Sequence, residues 1–246
     1  MNKELIIRSG SDAVDFALLK DGKLIELHKE EENENNFSVG DIFIAKIRKP
    51  VSGLNAAFVN VGYEKDAFLH YHDLGPNLPS LMKFIKLVSA GKLKDYSLKN
   101  FSFEKEISKD GAIADTISAN QSILVQIVKE PISTKGPRIS SEISLAGRYV
   151  VLVPFSDRIS ISQKIDSKEE KDRLKRLVKS IKPKGFGVIV RTVAEGKKVA
   201  ELDKDLQNLV DRWSAMGNRL KTAHHPSKVL GELTRASSII RDVFND

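Results

Sequence analysis

The chain has 246 residues, no cysteine and a formal net charge of +7 at pH 7. Missing cysteine excludes disulfide frameworks and cysteine-based zinc sites. MNKELIIRSGSD, the opening stretch, holds no apolar run long enough for a signal or membrane helix, so a soluble, cytoplasmic protein with no membrane partner is expected. The length suffices for one large domain or two to three small ones. Because Glu30, Glu31, Glu32 and Glu34 stand against Lys29 alone, the remainder is more basic than the average. Such a balance favours polyanionic partners through counterion release, and equally describes a plain lysine-rich surface.

Residues 5–7 and 14–19 are short apolar runs, and Lys20-Asp21-Gly22-Lys23 joins the second to Leu24-Ile25-Glu26-Leu27. Asp-Gly between alternating runs predicts a hairpin, so an antiparallel meander opens the chain. Residues 29–38, KEEENENNFS, lack apolar periodicity and read as an exposed linker.

Residues 41–74, DIFIAKIRKPVSGLNAAFVNVGYEKDAFLHYHDL, read as three short strands of a small barrel. At a period of two, Ala57, Val59 and Val61 point one way, and Ala56, Phe58 and Asn60 the other. In the next strand Ala67 and Leu69 form the inward pair, leaving Phe68 beside Asp66 and His70. The strand before them sets Lys46 and Arg48 against Ala45 and Ile47. Rings on polar faces, cations close by and a histidine are what a single-stranded nucleic acid needs. A bulge at one position would instead reverse the faces and bury both rings.

From 75 to 120 only Leu81, Ile85 and Val88 keep helical spacing, and 92–110 is polar and aperiodic, so a long, mobile inserted loop is expected. The barrel resumes at 122–129, where Ile123, Val125 and Ile127 alternate with polar or smaller partners. A loop with Lys135-Gly136-Pro137-Arg138 then leads to a closing strand at 139–143.

Next, the apolar run SLAGRYVVLVP, bounded by Gly147 and Pro154, predicts a buried strand, and 159–165 a second. Ser167 and Glu170 predict a capping box for a helix that aligns Leu174, Leu177, Val178 and Ile181. After Lys182-Pro183-Lys184-Gly185 comes a central-looking strand at 187–192, then a long helix with Val199, Leu202, Leu206, Leu209, Val210, Trp213 and Met216 on one face. Residues 144 to about 220 therefore read as a compact α+β unit. Arg191 and Thr192 close a strand ahead of a helix N-terminus, in a glycine-containing loop that can collect an anion. The same two residue types also make an ordinary strand-end salt bridge and cap. His224-His225 before Pro226 reads as a solvated loop.

With these segments in place, the sequence resembles the ribonuclease E/G family. GDIFIAKI, NAAFVNVGYEKDAFLH and the subsequent HDL look like the S1-type RNA-binding domain in the version found there. GVIVRTVAEG is similar to the family's G-x-I-V-R-T followed by A-E-G, and SLAGRYVVLVP to its S-L-A-G-x-Y-x-V-L-x-P. The resemblance implies an α+β fold in which an S1-type OB-fold barrel is inserted in a partial RNase H-like subdomain and followed by a small 5′-sensor. Implied boundaries are 1–36 for the first RNase H-like part, 37–142 for the barrel with an insertion at about 75–120, 143–222 for the sensor, and 223–246 for a truncated second RNase H-like part. Within that last part, 234–244 resembles the first returning helix.

The resemblance also implies site residues. Phe58, Phe68, His70, Lys46 and Lys135 would bind single-stranded RNA. Arg191 and Thr192 would hold a 5′-monophosphate, with Gly147 and Val151 against the terminal nucleotide. One departure stands out: the family pattern places two arginines after I-S, where this chain has Gln163-Lys164. Family chemistry is magnesium-dependent endonucleolytic cleavage in RNA processing and decay, rRNA included, by homo-oligomeric enzymes. It uses an Asp-x-Asn pair and a further aspartate in a later subdomain. Asp-x-Asn occurs nowhere here, so an inactive RNA-binding and end-sensing portion, cut before the catalytic part, is expected. The alternative is a non-catalytic S1-type RNA-binding module.

Overall fold

The computed structural model describes residues 2–9, 13–31 and 37–231. The chain divides into two units, of which Phe37–Glu232 is the larger. In the first, β1 (Lys3–Ser9), β2 (Ala13–Lys20) and β3 (Lys23–Glu31) pair antiparallel in that order. Asp21 and Gly22 sit at φ of 49° and 77°, the left-handed pair that a tight hairpin turn requires. The predicted meander is present, and β3 runs on to Glu31, into the stretch expected to be linker. Residues 32–36 and the returning segment 234–244 lie outside the described residues.

A closed barrel opens the second unit. Its strands are β4 (Ile42–Val51), β5 (Ala56–Asn60), β6 (Ala67–His70), β7 (Ser122–Lys129) and β8 (Arg138–Ser140). They lie in the order β4-β5-β6-β8-β7, and β7 pairs back onto β4. Only β6–β8 is parallel, so the topology is compatible with an OB-fold. β4 is long enough to serve both neighbours. Its first half pairs with β7 and its second with β5, Lys46 facing a partner in each, and a register shift between Ile47 and Lys49 lies within the β5 pairing. Ala57, Val59, Ala67 and Leu69 are fully buried, as their alternation predicts. Phe37, expected in an exposed linker, instead stacks on Phe43 with ring centroids 5.2 Å apart.

The inserted segment departs most from expectation. Helix α1 (Leu78–Ser89) buries Leu81, Ile85 and Val88 at their predicted spacing. The chain beyond α1 is anchored and does not form a mobile loop. Tyr96 and Leu98 are buried, and the Tyr96 carbonyl accepts the Trp213 indole N–H at 2.9 Å. Tyr71 donates its hydroxyl to the Ser108 carbonyl at 2.6 Å. Asn55 donates to the Gly111 carbonyl at 3.1 Å and accepts the Ile113 N–H at 2.7 Å, which fixes the single turn α2 (Ile113–Thr116). Scattered anchors without a repeat leave no period to detect.

α1 also explains why β7 is buried on both faces. Leu124 joins Ile42 and Ile44 in a core shared with Leu81 and Phe84, on the outside of the barrel. Buried Gln126 sends its amide N–H groups to the carbonyls of Gly40 and Ser144 and accepts the Ser144 N–H, tying the barrel to the start of the second sheet.

Beyond Ser144 come β9 (Leu145–Ala146), β10 (Val150–Pro154), β11 (Ile159–Ile161), α3 (Lys168–Ile181), β12 (Phe186–Val190), α4 (Val199–Thr222) and β13 (Ser227–Leu230). The sheet order is β11-β12-β10-β9, with β12 central as expected and β11 parallel to it. The apolar run predicted as one buried strand is broken at Gly147, and only one face of β10 is covered. Val150, Leu152 and Pro154 are buried, whereas Val151 and Val153 are half-buried. Only half of the predicted capping box forms. Ser167 accepts the Glu170 N–H at 3.2 Å, while the Glu170 carboxylate turns to Arg173 at 2.6 Å and to the Gly196 N–H at 2.9 Å. Residues 227–230 pair with β4 as a sixth strand of the barrel sheet, and Lys228 reaches the buried Asp41 carboxylate at 2.8 Å. His224 and His225 are exposed.

The packing at Trp213 and the pairing of Glu170 can each be tested. Trp213→Phe keeps a ring in the core but removes the N–H donated to the Tyr96 carbonyl. Urea denaturation monitored by circular dichroism should show a loss of about 2–3 kcal/mol. Arg173, by hydrogen bonding, and then the Gly196 N–H hold the Glu170 carboxyl below its ordinary value of 4.5, against the opposing effect of burial. A depressed carboxyl stabilises the fold above its unfolded value and loses that contribution as pH falls through the folded one. The stability gap between wild type and Arg173→Gln should therefore be widest above pH 4.5 and narrow below it.

Candidate functional site

Strand register builds a continuous row across the outside of the barrel. Lys49 lies opposite Phe58, Phe58 opposite Phe68, Phe68 opposite Arg138, and Arg138 opposite Lys129. No bulge reverses β5 or β6, so both rings stay partly exposed, edge to face with centroids 6.1 Å apart. The His70 ring comes next, at 6.5 Å from Phe68. Its Nδ1 accepts the His72 N–H at 3.2 Å, so a neutral His70 carries its proton on Nε2. Arg138 is oriented by a two-pronged pair with Asp73, the closest contact being 2.9 Å.

A groove of about 650 Å³ opens over this row, lined by Phe58, Phe68, Lys65, Lys129, Lys135 and Arg138 among others. One wall is the loop between β7 and β8, where Lys135 and Ile132 exchange backbone hydrogen bonds. Phe58, Phe68 and Lys135 thus meet in one groove, and His70 stands beside Phe68 without lining it. Lys46 is exposed but sits opposite Asn60, away from the lining residues. Alternation alone did not reveal Lys49. The register shift after Ile47 puts Lys49 in the aromatic row, while Arg48 lies 3.6 Å from Asp66. Arg138 and Lys129 enter through the β6–β8 and β7–β8 pairings, which are long-range contacts with no local signal.

A second site lies at the edge of the β9–β12 sheet. Arg191 leaves β12 with its N–H on the Tyr149 carbonyl at 2.8 Å, and its Nη1 donates to the Gly147 carbonyl at 2.8 Å. The Thr192 hydroxyl is 2.9 Å from that of Ser162, just past β11. Val151 stands between Ala146 and Ile189 on the half-open face of the sheet, where Ile189 is 42% exposed. Arg191 and Gly147 are therefore in direct contact, Thr192 is joined to Ser162, and Val151 is on the adjoining surface. Ser162 had no sequence signal of its own, because the parallel β11–β12 pairing is what delivers it.

The helix terminus adds no free donor to this cluster. α4 starts at Val199, beyond a Thr192–Ala194 turn, and its Lys198 N–H is taken by Glu201 at 2.9 Å. The Gly196 N–H goes to Glu170. The polar groups gathered here are the Arg191 guanidinium, the Thr192 and Ser162 hydroxyls and the turn at Gly147.

Among the described residues, no three His, Asp or Glu side chains are grouped to hold a metal ion, and no helix is long and apolar enough to cross a membrane.

Known proteins share this sequence over most of its length. Residues 144–246 match the profile of the ribonuclease E/G family. Ribonuclease G of Escherichia coli strain K12 is 31% identical over 242 residues, covering 98% of this chain and 45% of the relative. Ribonuclease G of Haemophilus influenzae is 32% identical over 239 residues, 97% of this chain and 45% of the relative. Ribonuclease E of a Nostoc species is 33% identical over 207 residues, 84% of this chain and 26% of the relative. The chain thus spans less than half the length of these curated relatives, and by the profile match over residues 144–246 and the likeness along nearly all of it, it belongs to the ribonuclease E/G family.

Proposed function

We propose that this chain is the RNA-binding and 5′-monophosphate-sensing portion of a ribonuclease E/G-type endoribonuclease that acts on single-stranded RNA. The observation that carries the proposal is one compact unit holding two separate chemistries. An open aromatic pair is flanked in register by Lys49 and Arg138, and Arg191 is seated on Gly147 beside the Thr192 and Ser162 hydroxyls.

Each chemistry suits a different feature of RNA. Bases stack on aromatic faces whatever their identity, at about 1–3 kcal/mol per base, and adjacent cations track the phosphates. In that role the barrel serves as an S1-type OB-fold platform, with Phe58, Phe68, His70 and Lys135 in contact and Lys46 further along the face. A terminal phosphate monoester offers oxygens that a guanidinium fork and hydroxyls can bind with directed, charge-assisted hydrogen bonds. Arg191 and Thr192 would bind it, with Gly147 and Val151 against the first nucleotide, within a 5′-sensor subdomain. Residues 1–36 and 223–246 would contribute to an RNase H-like subdomain.

Cleavage, its Mg²⁺ requirement, homo-oligomeric assembly and cytoplasmic RNA processing and decay, rRNA included, are assigned by this proposal to the whole enzyme. Because the described residues offer no cluster that could hold the metal, no catalytic step is placed on them.

A titration at fixed salt with one oligoribonucleotide, bearing either a 5′-monophosphate or a 5′-hydroxyl, tests the reading. Tighter binding of the monophosphate is expected, and Arg191→Ala should remove the difference. Equal affinities in the wild type would reduce the chain to a plain single-strand binder. The double variant Phe58→Ala, Phe68→Ala should weaken both RNAs alike, by about tenfold or more. The purified chain should leave both RNAs uncut in the presence of Mg²⁺.

A further inference from the structure

The turn that carries Gly147 is held by a carboxylate from a distant helix. Asp205, on α4, accepts three successive backbone N–H groups: Arg148 at 3.1 Å, Tyr149 at 2.7 Å and Val150 at 3.1 Å. Consecutive N–H groups aimed at one point form an anion-binding concavity, and here an internal anion fills it. The contact is close enough to dictate the residue at 147. A Cβ there would lie 2.5 Å and 2.7 Å from the two Asp205 oxygens, so only glycine clears them without displacing the carboxylate. Leu202 and Leu206, buried on the same stretch of α4, hold Asp205 against the turn.

On its other side the turn presents the Gly147 carbonyl, which accepts Arg191 Nη1 at 2.8 Å. Gly147 also donates its N–H to the Val150 carbonyl at 2.8 Å, closing the turn on itself. The chain of contacts therefore runs from α4 through Asp205 to the backbone at 148–150, to the Gly147 carbonyl and on to the guanidinium.

We propose that Asp205 is a positioning residue for end recognition: it shapes the Gly147 turn so that its carbonyl orients Arg191. This rests on the reading of Arg191 and Thr192 as the 5′-phosphate pocket. Asp205 spends its oxygens on backbone N–H groups and acts on Arg191 only through the turn. A carboxylate beside a phosphate pocket opposes the ligand's charge, so its contribution there is geometric. Charge and geometry accordingly predict opposite results when the charge is removed.

Asp205→Asn is the test, because it swaps one acceptor oxygen for an NH₂ group that confronts N–H donors. The quantity measured is the ratio of affinities for 5′-monophosphate and 5′-hydroxyl RNA. We expect Asp205→Asn to lower this ratio to within about twofold of Arg191→Ala, with no further fall in the double variant, as coupled residues require. Binding of the 5′-hydroxyl RNA, supplied by the barrel groove, should stay within about twofold of wild type. An unchanged or raised ratio in Asp205→Asn overturns the proposal, and so does a parallel loss of both affinities, which would mark a role in folding alone. A wild type that fails to discriminate sinks the pocket reading itself, a result distinct from these. Amide hydrogen exchange on the unmodified chain decides the matter independently of any variant's folding. The N–H groups of Arg148, Tyr149 and Val150 should exchange at least about tenfold more slowly than free peptide, and free-peptide rates overturn the proposal.

Discussion

Trp213 fixes the barrel and the second sheet in a common frame. Its indole is fully buried on α4, with Phe84 of α1 at 5.1 Å, Phe155 after β10 at 5.7 Å and Phe186 of β12 at 6.0 Å between ring centroids. Phe84 shares that core with Ile42, Ile44 and Leu124 on the outer wall of the barrel. Interiors packed at this density move as units, because sliding one layer over another opens voids that cost dispersion contacts on both sides. The groove over Phe58 and the cluster at Arg191 are consequently held by one body. Under the proposed function, an RNA strand that engages both is measured against a fixed spacing.

The inserted segment reinforces this joint. It contributes Tyr96 and Leu98 to the shared core and Ile107, Ile113 and Ile117 to the barrel side. Gly111 and Gly217 allow the close approaches involved, since a Cβ at Gly217 would meet the Tyr96 ring at 2.6 Å and one at Gly111 would meet Tyr71. The stretch is polar in composition because it is short of regular structure and much of its surface faces water. Its few apolar residues are placed one at a time where the two layers meet.

What could be read from the sequence divides along the range of the interactions responsible. The inward sets of β5 and β6, the apolar face of α4 and the Asp-Gly hairpin are local, and alternation, helical spacing or turn chemistry encodes each. Lys49 escaped because one register shift breaks the period of two. Arg138 and Ser162 escaped because strand pairings between remote segments deliver them. Gln126 looked like one of the polar partners of an alternating strand, yet it is buried because α1 covers that wall and the start of β9 satisfies its amide. Asp205 is the sharpest case. Helical periodicity places it next to Leu206 and says nothing of a turn more than fifty residues earlier whose N–H groups it receives.

Magnitudes explain why a rigid turn matters more at one site than at the other. Base stacking on the Phe58 and Phe68 rings, as proposed, would be broad and tolerant, because any base has a face and any slip along the ring retains most of the contact. A hydrogen bond to a charged group contributes about 1.5–3 kcal/mol net and decays steeply once its angle falls away from linear. Under the proposed function, reading an RNA end through one guanidinium and two hydroxyls would have a ceiling of roughly ten- to a hundredfold per well-made contact, and a small tilt of the fork would forfeit it. Affinity can rest on a shallow aromatic surface that the barrel register supplies without further support. Selectivity cannot, and the concentration of hydrogen bonds at Gly147, three from its neighbours to Asp205 and one from Arg191 to its carbonyl, falls where the tolerance is smallest.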